Sequence, residues 1–269
     1  MSQKSKIVLI TGAGRGLGRA TAEAFHKAGF EVVATDIDLT LLEDLSKNRG
    51  YTCLQLDVTS ENDVSRCAEF VEDNFGKLDV LISNAGIVDF YPLVEAGSEK
   101  LNKILEVNVL GLANLAKYFS PFLMDSKGRL IVIGSESYKV PAPFQPYAVS
   151  KKALEALFDS LRIELALKAV KAILVRPGAI QTRVLKQTIE MSDAEDDSKF
   201  KEVYQNFKKS VPKYIGKVSK PEEVARLVLK AATTKNPRRV YFINHKIMIS
   251  ILSALPKNFQ HYLIKKQLD

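Results

Sequence analysis

The chain has 269 residues, 46% of them hydrophobic, enough to bury a full core without a disulfide or a structural metal. Its two cysteines, Cys53 and Cys67, and three histidines, His26, His245 and His261, suit a reducing, cytoplasmic setting and leave little material for a metal site or a Ser-His-Asp hydrolase. The formal charge is +8, but residues 235–269 carry six of the eight net charges, so the body is nearly neutral and nucleic acid is not an expected partner.

Short β-branched runs alternate with stretches of helical periodicity, the pattern of βαβ units that build a parallel sheet covered on both faces. A strand is expected over residues 7–10. It runs into Thr11-Gly12-Ala13-Gly14-Arg15-Gly16-Leu17-Gly18 and a helix over 17–28 that Gly29 caps in a left-handed conformation. Glycines between a strand and a helix let a pyrophosphate approach backbone N–H groups at the positive helix end. The spacing is not GxGxxG, because Leu17 stands where its last glycine would fall.

A second strand, 31–36, ends at Asp36. A carboxylate there can accept the adenosine ribose hydroxyls and would repel a 2′-phosphate, so NAD is expected over NADP, with Arg15 acting weakly the other way. The competing reading of Asp36 is a turn or N-cap aspartate. A strand over 52–57 ends at Asp57, a helix over 62–75 closes at Gly76, and a strand over 80–83 ends in Ser83-Asn84-Ala85-Gly86. Asp57 and the Ser83–Gly86 run are each ambiguous between turn chemistry and ligand contact. Asn108 reads from spacing alone as a polar residue within a helix.

The strand expected at 130–134 delivers Ser135. Tyr147-Ala148-Val149-Ser150-Lys151 then enters a helix, and the four-residue spacing puts Tyr147 and Lys151 on one face. A free tyrosine, with a pKa of about 10, is too weak a base at neutral pH, and a neighbouring ammonium favours its ionised form. Ser135 can donate a hydrogen bond to a substrate oxygen; Ser137 is its rival. A strand over 172–176 runs into Pro177-Gly178. Residues 183–216 are polar and irregular, with the acidic run Glu195, Asp196, Asp197, and read equally as a solvated surface helix or a flap over the substrate.

Ser219 and Glu222 form a capping-box pattern for a helix reaching about Ala232, and a last strand follows at 240–243. In the tail, Ile247, Ile249, Ile251, Leu252 and Leu255 precede Pro256, and Phe259, Tyr262, Leu263 and Ile264 follow it, beside Lys257, Lys265 and Lys266. Proline should divide this run into two short helices, and no apolar run in the chain reaches the ~18 residues of a membrane span. The basic amphipathic tail reads either as packing on the protein or a sister subunit, or as peripheral contact with an anionic membrane. Six strands in a row end in a candidate functional residue, at the edge where open α/β sheets bind ligands.

These segments resemble the short-chain dehydrogenase/reductase family, closely over residues 4–182 and in outline over 183–232. The resemblance implies an α/β fold: a Rossmann-type doubly wound parallel β-sheet of about seven strands with helices on both faces. It implies one catalytic domain over 1–244, with 183–216 as substrate flap, and an extension over 245–269. The implied catalytic set is Asn108, Ser135, Tyr147 and Lys151, with Asn108 supporting a water-linked proton relay to Lys151. Implied cofactor contacts are Gly12, Arg15, Gly16, Leu17, Gly18, Asp36, Asp57, Val58, Asn84, Ala85, Gly86, Tyr147, Lys151, Pro177, Gly178, Ile180 and Thr182. Ser83 departs from the first asparagine of the family's NNAG motif, which touches a structural hydrogen bond, and the interval from Ser135 to Tyr147 is one residue shorter than in many relatives.

The expected activity is NAD(P)-dependent interconversion of a secondary alcohol and a ketone on a hydrophobic, steroid-, retinoid- or lipid-like substrate, by a homo-oligomer. A catalytically silent dinucleotide-binding sensor or scaffold is the alternative. The intact Asn108, Ser135, Tyr147 and Lys151 weigh against it.

Overall fold

A computed structural model describes residues 5–137, 139–191, 197–244 and 247–268. In chain order the first half holds β1 (Ile7–Thr11), α1 (Gly16–Lys27), β2 (Glu31–Asp36), a 3-10 turn (Leu39–Leu42), α2 (Glu43–Ser46), β3 (Tyr51–Gln55), α3 (Glu61–Phe75), β4 (Val80–Ser83), α4 (Gly97–Leu105), a π-helical turn (Glu106–Leu110) and α5 (Gly111–Ser126). The second half holds β5 (Arg129–Ile133), α6 (Pro146–Ala166), β6 (Lys171–Pro177), α7 (Arg183–Ile189), α8 (Lys201–Ile215), α9 (Pro221–Thr233), β7 (Val240–Ile243), α10 (Ile247–Ala254) and α11 (Lys257–Leu268).

The strands form one sheet in the order β3-β2-β1-β4-β5-β6-β7, and every neighbouring pair is parallel. Both faces are covered. On one, Leu9, Leu81, Leu130 and Leu174 pack with Val71 of α3, Phe119 of α5 and Phe158 of α6. On the other, Val8, Ile10, Ile82 and Ile131 pack with Phe25 of α1 and Val224 and Val228 of α9. This is why the strands read as continuous apolar runs, and each such buried side chain contributes about 1.5–3 kcal/mol. The strand order reverses between β1 and β4, so the loops after these two strands diverge and open a crevice at the carboxyl edge.

Gly29 and Gly76 adopt positive φ (+82° and +62°) at the ends of α1 and α3, as the sequence pattern requires. Two local expectations are corrected. β3 stops two residues before Asp57, whose Oδ1 instead accepts the Thr59 N–H at 2.9 Å and the Thr59 hydroxyl at 2.8 Å. The cap of α9 lies one residue later than Ser219: the Lys220 N–H donates to Glu223 Oε2 at 3.1 Å, while Ser219 forms a parallel bridge with Ile180. Pro221 at the first helical position sets that start.

The 183–216 segment is helical over much of its length rather than irregular. Tyr204, Phe207 and Val211 of α8 are buried with Phe90, Phe144 and Met191 in a third apolar cluster, and the Tyr204 hydroxyl donates to the Phe90 carbonyl at 3.1 Å. Glu195 and Asp196 of the acidic run lie outside the described residues, as do His245, Lys246 and Asp269. The tail is divided at Pro256 into α10 and α11. Gln260 is fully buried and its amide donates to the Leu255 carbonyl at 2.7 Å, whereas Ile251, Phe259 and Tyr262 are exposed. Among the described residues no helix is long and apolar enough to cross a membrane.

Candidate active site

The carboxyl edge of the sheet opens into a cleft of about 600 Å³. Every residue that the family resemblance assigns to cofactor contact lines it, and so do Ser135, Tyr147 and Lys151. Asn108 lies behind its wall.

At the glycine turn, close approach dictates residue type. A Cβ at Gly18 would stand 2.0 Å from the Gly12 carbonyl oxygen, and one at Gly14 would stand 2.8 Å from Asp36 Oδ2. Asp36 is 6% exposed; its Oδ2 accepts the Gly14 N–H at 2.9 Å and its Oδ1 the Asp38 N–H at 3.2 Å. The first N–H groups of α1 have no intrahelical acceptor, as at any helix N-terminus, and so suit a phosphate. A turn too tight for side chains, a positive helix end and a fixed carboxylate together fit an adenine dinucleotide.

Thr11, which the sequence reading passed over, organises this end. Its Oγ1 accepts the N–H groups of Asn84 and Ala85, each at 3.0 Å. Asn84 returns its side-chain amide to the carbonyls of Thr11 at 2.8 Å and Gly12 at 3.2 Å. The signal available in sequence was only that a hydroxyl residue closes the first strand.

At the other end, Tyr147 lies in the first turn of α6, whose start Pro146 sets. Lys151, one turn later, is 5% exposed. Its Nζ donates to the Ile133 carbonyl at 3.0 Å and lies 5.7 Å from the centroid of the Tyr147 ring. Burial pushes Lys151 down to about 8, and the charge of Glu155 works against that fall. Burial pushes the Tyr147 phenol up, while its hydrogen bond with Ser135 works the other way. Loss of solvent is thus the larger influence on the phenol in the protein alone.

Ser135 Oγ and Ser137 Oγ are 2.9 Å apart, and the Ser137 N–H donates to Ser135 Oγ at 3.2 Å. Ser137 is thus a neighbour that orients Ser135. Asn108 occupies the π-helical turn and is 3% exposed. Its Oδ1 accepts the Ile87 N–H at 2.8 Å, and its Nδ2 donates to the Ile87 carbonyl and to Ser150 Oγ, both at 2.9 Å. Its side chain is committed to tying the loop after β4 to the first turn of α6. Gly86 is the spacer in this corner, since a Cβ there would stand 3.1 Å from Asn108 Oδ1 and 3.8 Å from Lys151 Nζ.

The cleft is also walled by the apolar Val88, Phe90, Val184, Leu185, Ile215 and Ile249, beside the polar Gln145, Arg183, Gln187, Thr188 and Asn244. None of these apolar residues belongs to a motif. They come from the loop after β4, from α7, from the end of α8 and from α10, and no spacing in the sequence brought them together.

The sequence profile described as short chain dehydrogenase matches residues 6–193. The chain is 30% identical over 236 residues to an (S)-acetoin-forming diacetyl reductase of Staphylococcus epidermidis, covering 83% of this chain and 90% of that protein. It is 36% identical over 185 residues to an NADPH-dependent 1-acyldihydroxyacetone phosphate reductase of Schizosaccharomyces pombe, covering 68% of this chain and 62% of that one. Among solved structures, a short-chain dehydrogenase from Streptomyces avermitilis superposes with a TM-score of 0.79 at 25% identity, over 100% of this chain and 96% of the other.

Proposed function

The chain belongs to the short-chain dehydrogenase/reductase family and is an NAD(P)-dependent oxidoreductase acting on CH–OH groups; from that premise we propose that it interconverts a hydrophobic secondary alcohol and its ketone. One observation carries the reading: Ser135, Tyr147 and Lys151 share a single cleft with the glycine turn and Asp36.

In this reading Ser135 Oγ donates a hydrogen bond to the substrate oxygen and holds it against Tyr147. Tyr147 gives its phenolic proton to that oxygen in reduction and takes one in oxidation. The bound nicotinamide supplies or receives the hydride. Lys151 binds the nicotinamide ribose and, as an ammonium, opposes the burial that holds the phenol neutral. Asn108 positions Ile87 and Ser150 and in this reading supports the water-linked proton relay to Lys151. Pro177, Gly178, Ile180 and Thr182 would face the carboxamide end, and Asp36 the adenosine ribose. The buried Asp36 carboxylate is the basis for NAD over NADP, although the Schizosaccharomyces pombe relative is named for NADPH.

The apolar walls support a steroid-, retinoid- or lipid-like substrate, and that same relative is named for an acyl compound. Residues 1–244 act as one catalytic domain, with 183–216 as a flap whose buried face rests on Phe90 and Phe144. Exposed Leu110, Val149, Ile163 and Leu167 supply apolar surface for a homo-oligomer. The exposed apolar residues of the tail, beside Lys257, Lys265 and Lys266, supply a contact for an anionic membrane surface of a cytoplasmic protein.

The test is to incubate the protein with NAD or NADP and a panel of hydrophobic alcohols and ketones while following nicotinamide absorbance. Turnover of a secondary alcohol or ketone is expected. Cofactor binding without turnover of any member would favour the silent sensor instead.

A further inference from the structure

Behind Lys151 lies a largely buried ion pair to which the reaction gives no role. Glu155 follows Lys151 by one turn on α6 and is 7% exposed. Arg176 of β6 meets its carboxylate on both oxygens: Nε donates to Oε1 at 2.8 Å, and Nη2 donates to Oε2. The pair ties α6 to β6 one residue before Pro177. It also reaches under the serine loop, since a Cβ at Gly134 would stand 3.4 Å from Glu155 Oε1. The Arg176 guanidinium is backed by the Phe242 ring, 5.4 Å from its centroid.

Stability is a weak reason for such a pair. Removing two charges from water can cost more than their attraction returns, and apolar side chains of similar volume would join α6 to β6 as well. An apolar pair would place no charge one helical turn from the buried Lys151, whereas Glu155 does. Lys151 is buried against a neutral carbonyl, a setting that favours the uncharged amine, and Glu155 is the charge that resists. The other titratable or charged groups around this corner are Tyr147 on α6, Arg176 across Glu155 from β6, and Glu136 from the loop after β5, which pairs with Lys139 at 3.4 Å. Asn108 and Gly86 complete the wall without charge.

We propose that Glu155, clamped by Arg176, is a positioning residue that keeps Lys151 an ammonium inside the folded site. Arg176 anchors the carboxylate to β6; Glu155 supplies the field. The inference rests on the reading of Lys151 as the cation of the reactive end.

The experiment follows the Cε shift of Lys151 against pH in 13C-lysine-labelled full-length protein, with the signal assigned by its loss in Lys151→Arg. Glu155→Gln should lower the midpoint by about one unit, a tenfold change in acidity. Arg176→Gln should leave it in place or raise it, because a carboxylate remains and a cation is gone. The double variant Glu155→Gln/Arg176→Gln buries no unpaired charge and guards against misfolding; its midpoint should fall between those of Glu155→Gln and the parent. The alkaline limb of kcat/KM for ketone reduction should move with the midpoint, and Glu155→Asp should restore it. A structural clamp would treat the two single variants alike, so equal shifts, or none in Glu155→Gln, overturn the proposal. The titration needs no substrate, so its failure is separate from failure of the proposed reaction, which Tyr147→Phe reports.

Discussion

The Asp36 carboxylate accepts the Gly14 N–H at 2.9 Å, so the residue that closes β2 also fixes the turn on which a pyrophosphate would rest. Asp36→Ala should therefore weaken both dinucleotides somewhat and narrow the preference for NAD. The ratio of kcat/KM for NAD to that for NADP is expected to fall at least tenfold, about 1.4 kcal/mol of discrimination. A parent enzyme that favours NADP would refute the assignment of Asp36 as a 2′-phosphate filter.

Tyr147→Phe keeps the ring and removes the proton donor. Turnover should drop by well over tenfold while cofactor binding, read by fluorescence of the reduced nicotinamide, stays close to the parent value. Retention of more than about a tenth of the parent kcat, a loss under ~1.4 kcal/mol, would rule out proton transfer by the phenol.

The buried Lys151 makes stability depend on pH in a defined direction. Its folded pKa, about 8, is lower than the usual 10.5, so between these values the unfolded chain binds more protons and stability rises with pH. The rise should total on the order of 3 kcal/mol, and it should be absent in Lys151→Met. Urea unfolding of both proteins at pH 7.5 and pH 9.5 should capture roughly 2 kcal/mol of it. A constant difference between parent and variant across that window would mean that the amine is not held below its ordinary value.

Ile251, Phe259 and Tyr262 are exposed on α10 and α11, and no acidic residue occurs between Ile247 and Leu268. The full chain should sediment with phosphatidylserine vesicles at low salt and be released at high salt. Because the three side chains are exposed, replacing all of them with serine should abolish sedimentation without unfolding the protein. Equal behaviour of the two proteins, or no binding by either, would leave the tail as a packing element, as the buried Gln260 and the Ile249 wall already are in part.

Local pattern alone determined the strand sequence, the parallel sheet and the caps at Gly29 and Gly76. Strand periodicity and the need for positive φ are properties of a few consecutive residues. Sequence also placed Gly12, Asp36, Asn84, Ser135 and Pro177 at one edge, because parallel strands carry their carboxyl ends to the same side. What it could not decide depends on which distant elements meet. Asn108 looked like a helix residue until its amide was seen to join Ile87, 21 positions away, to Ser150, 42 positions away. Residues 183–216 read equally as a solvated surface helix or a flap because their polar majority hides the face of Tyr204, Phe207 and Val211, which packs against Phe90 and Phe144. The Tyr147–Lys151 spacing was legible, but the sign of the tyrosine shift was not. Spacing reports proximity, whereas the shift of each group is governed first by solvent excluded in the folded protein, and that of Lys151 also by the charge of Glu155.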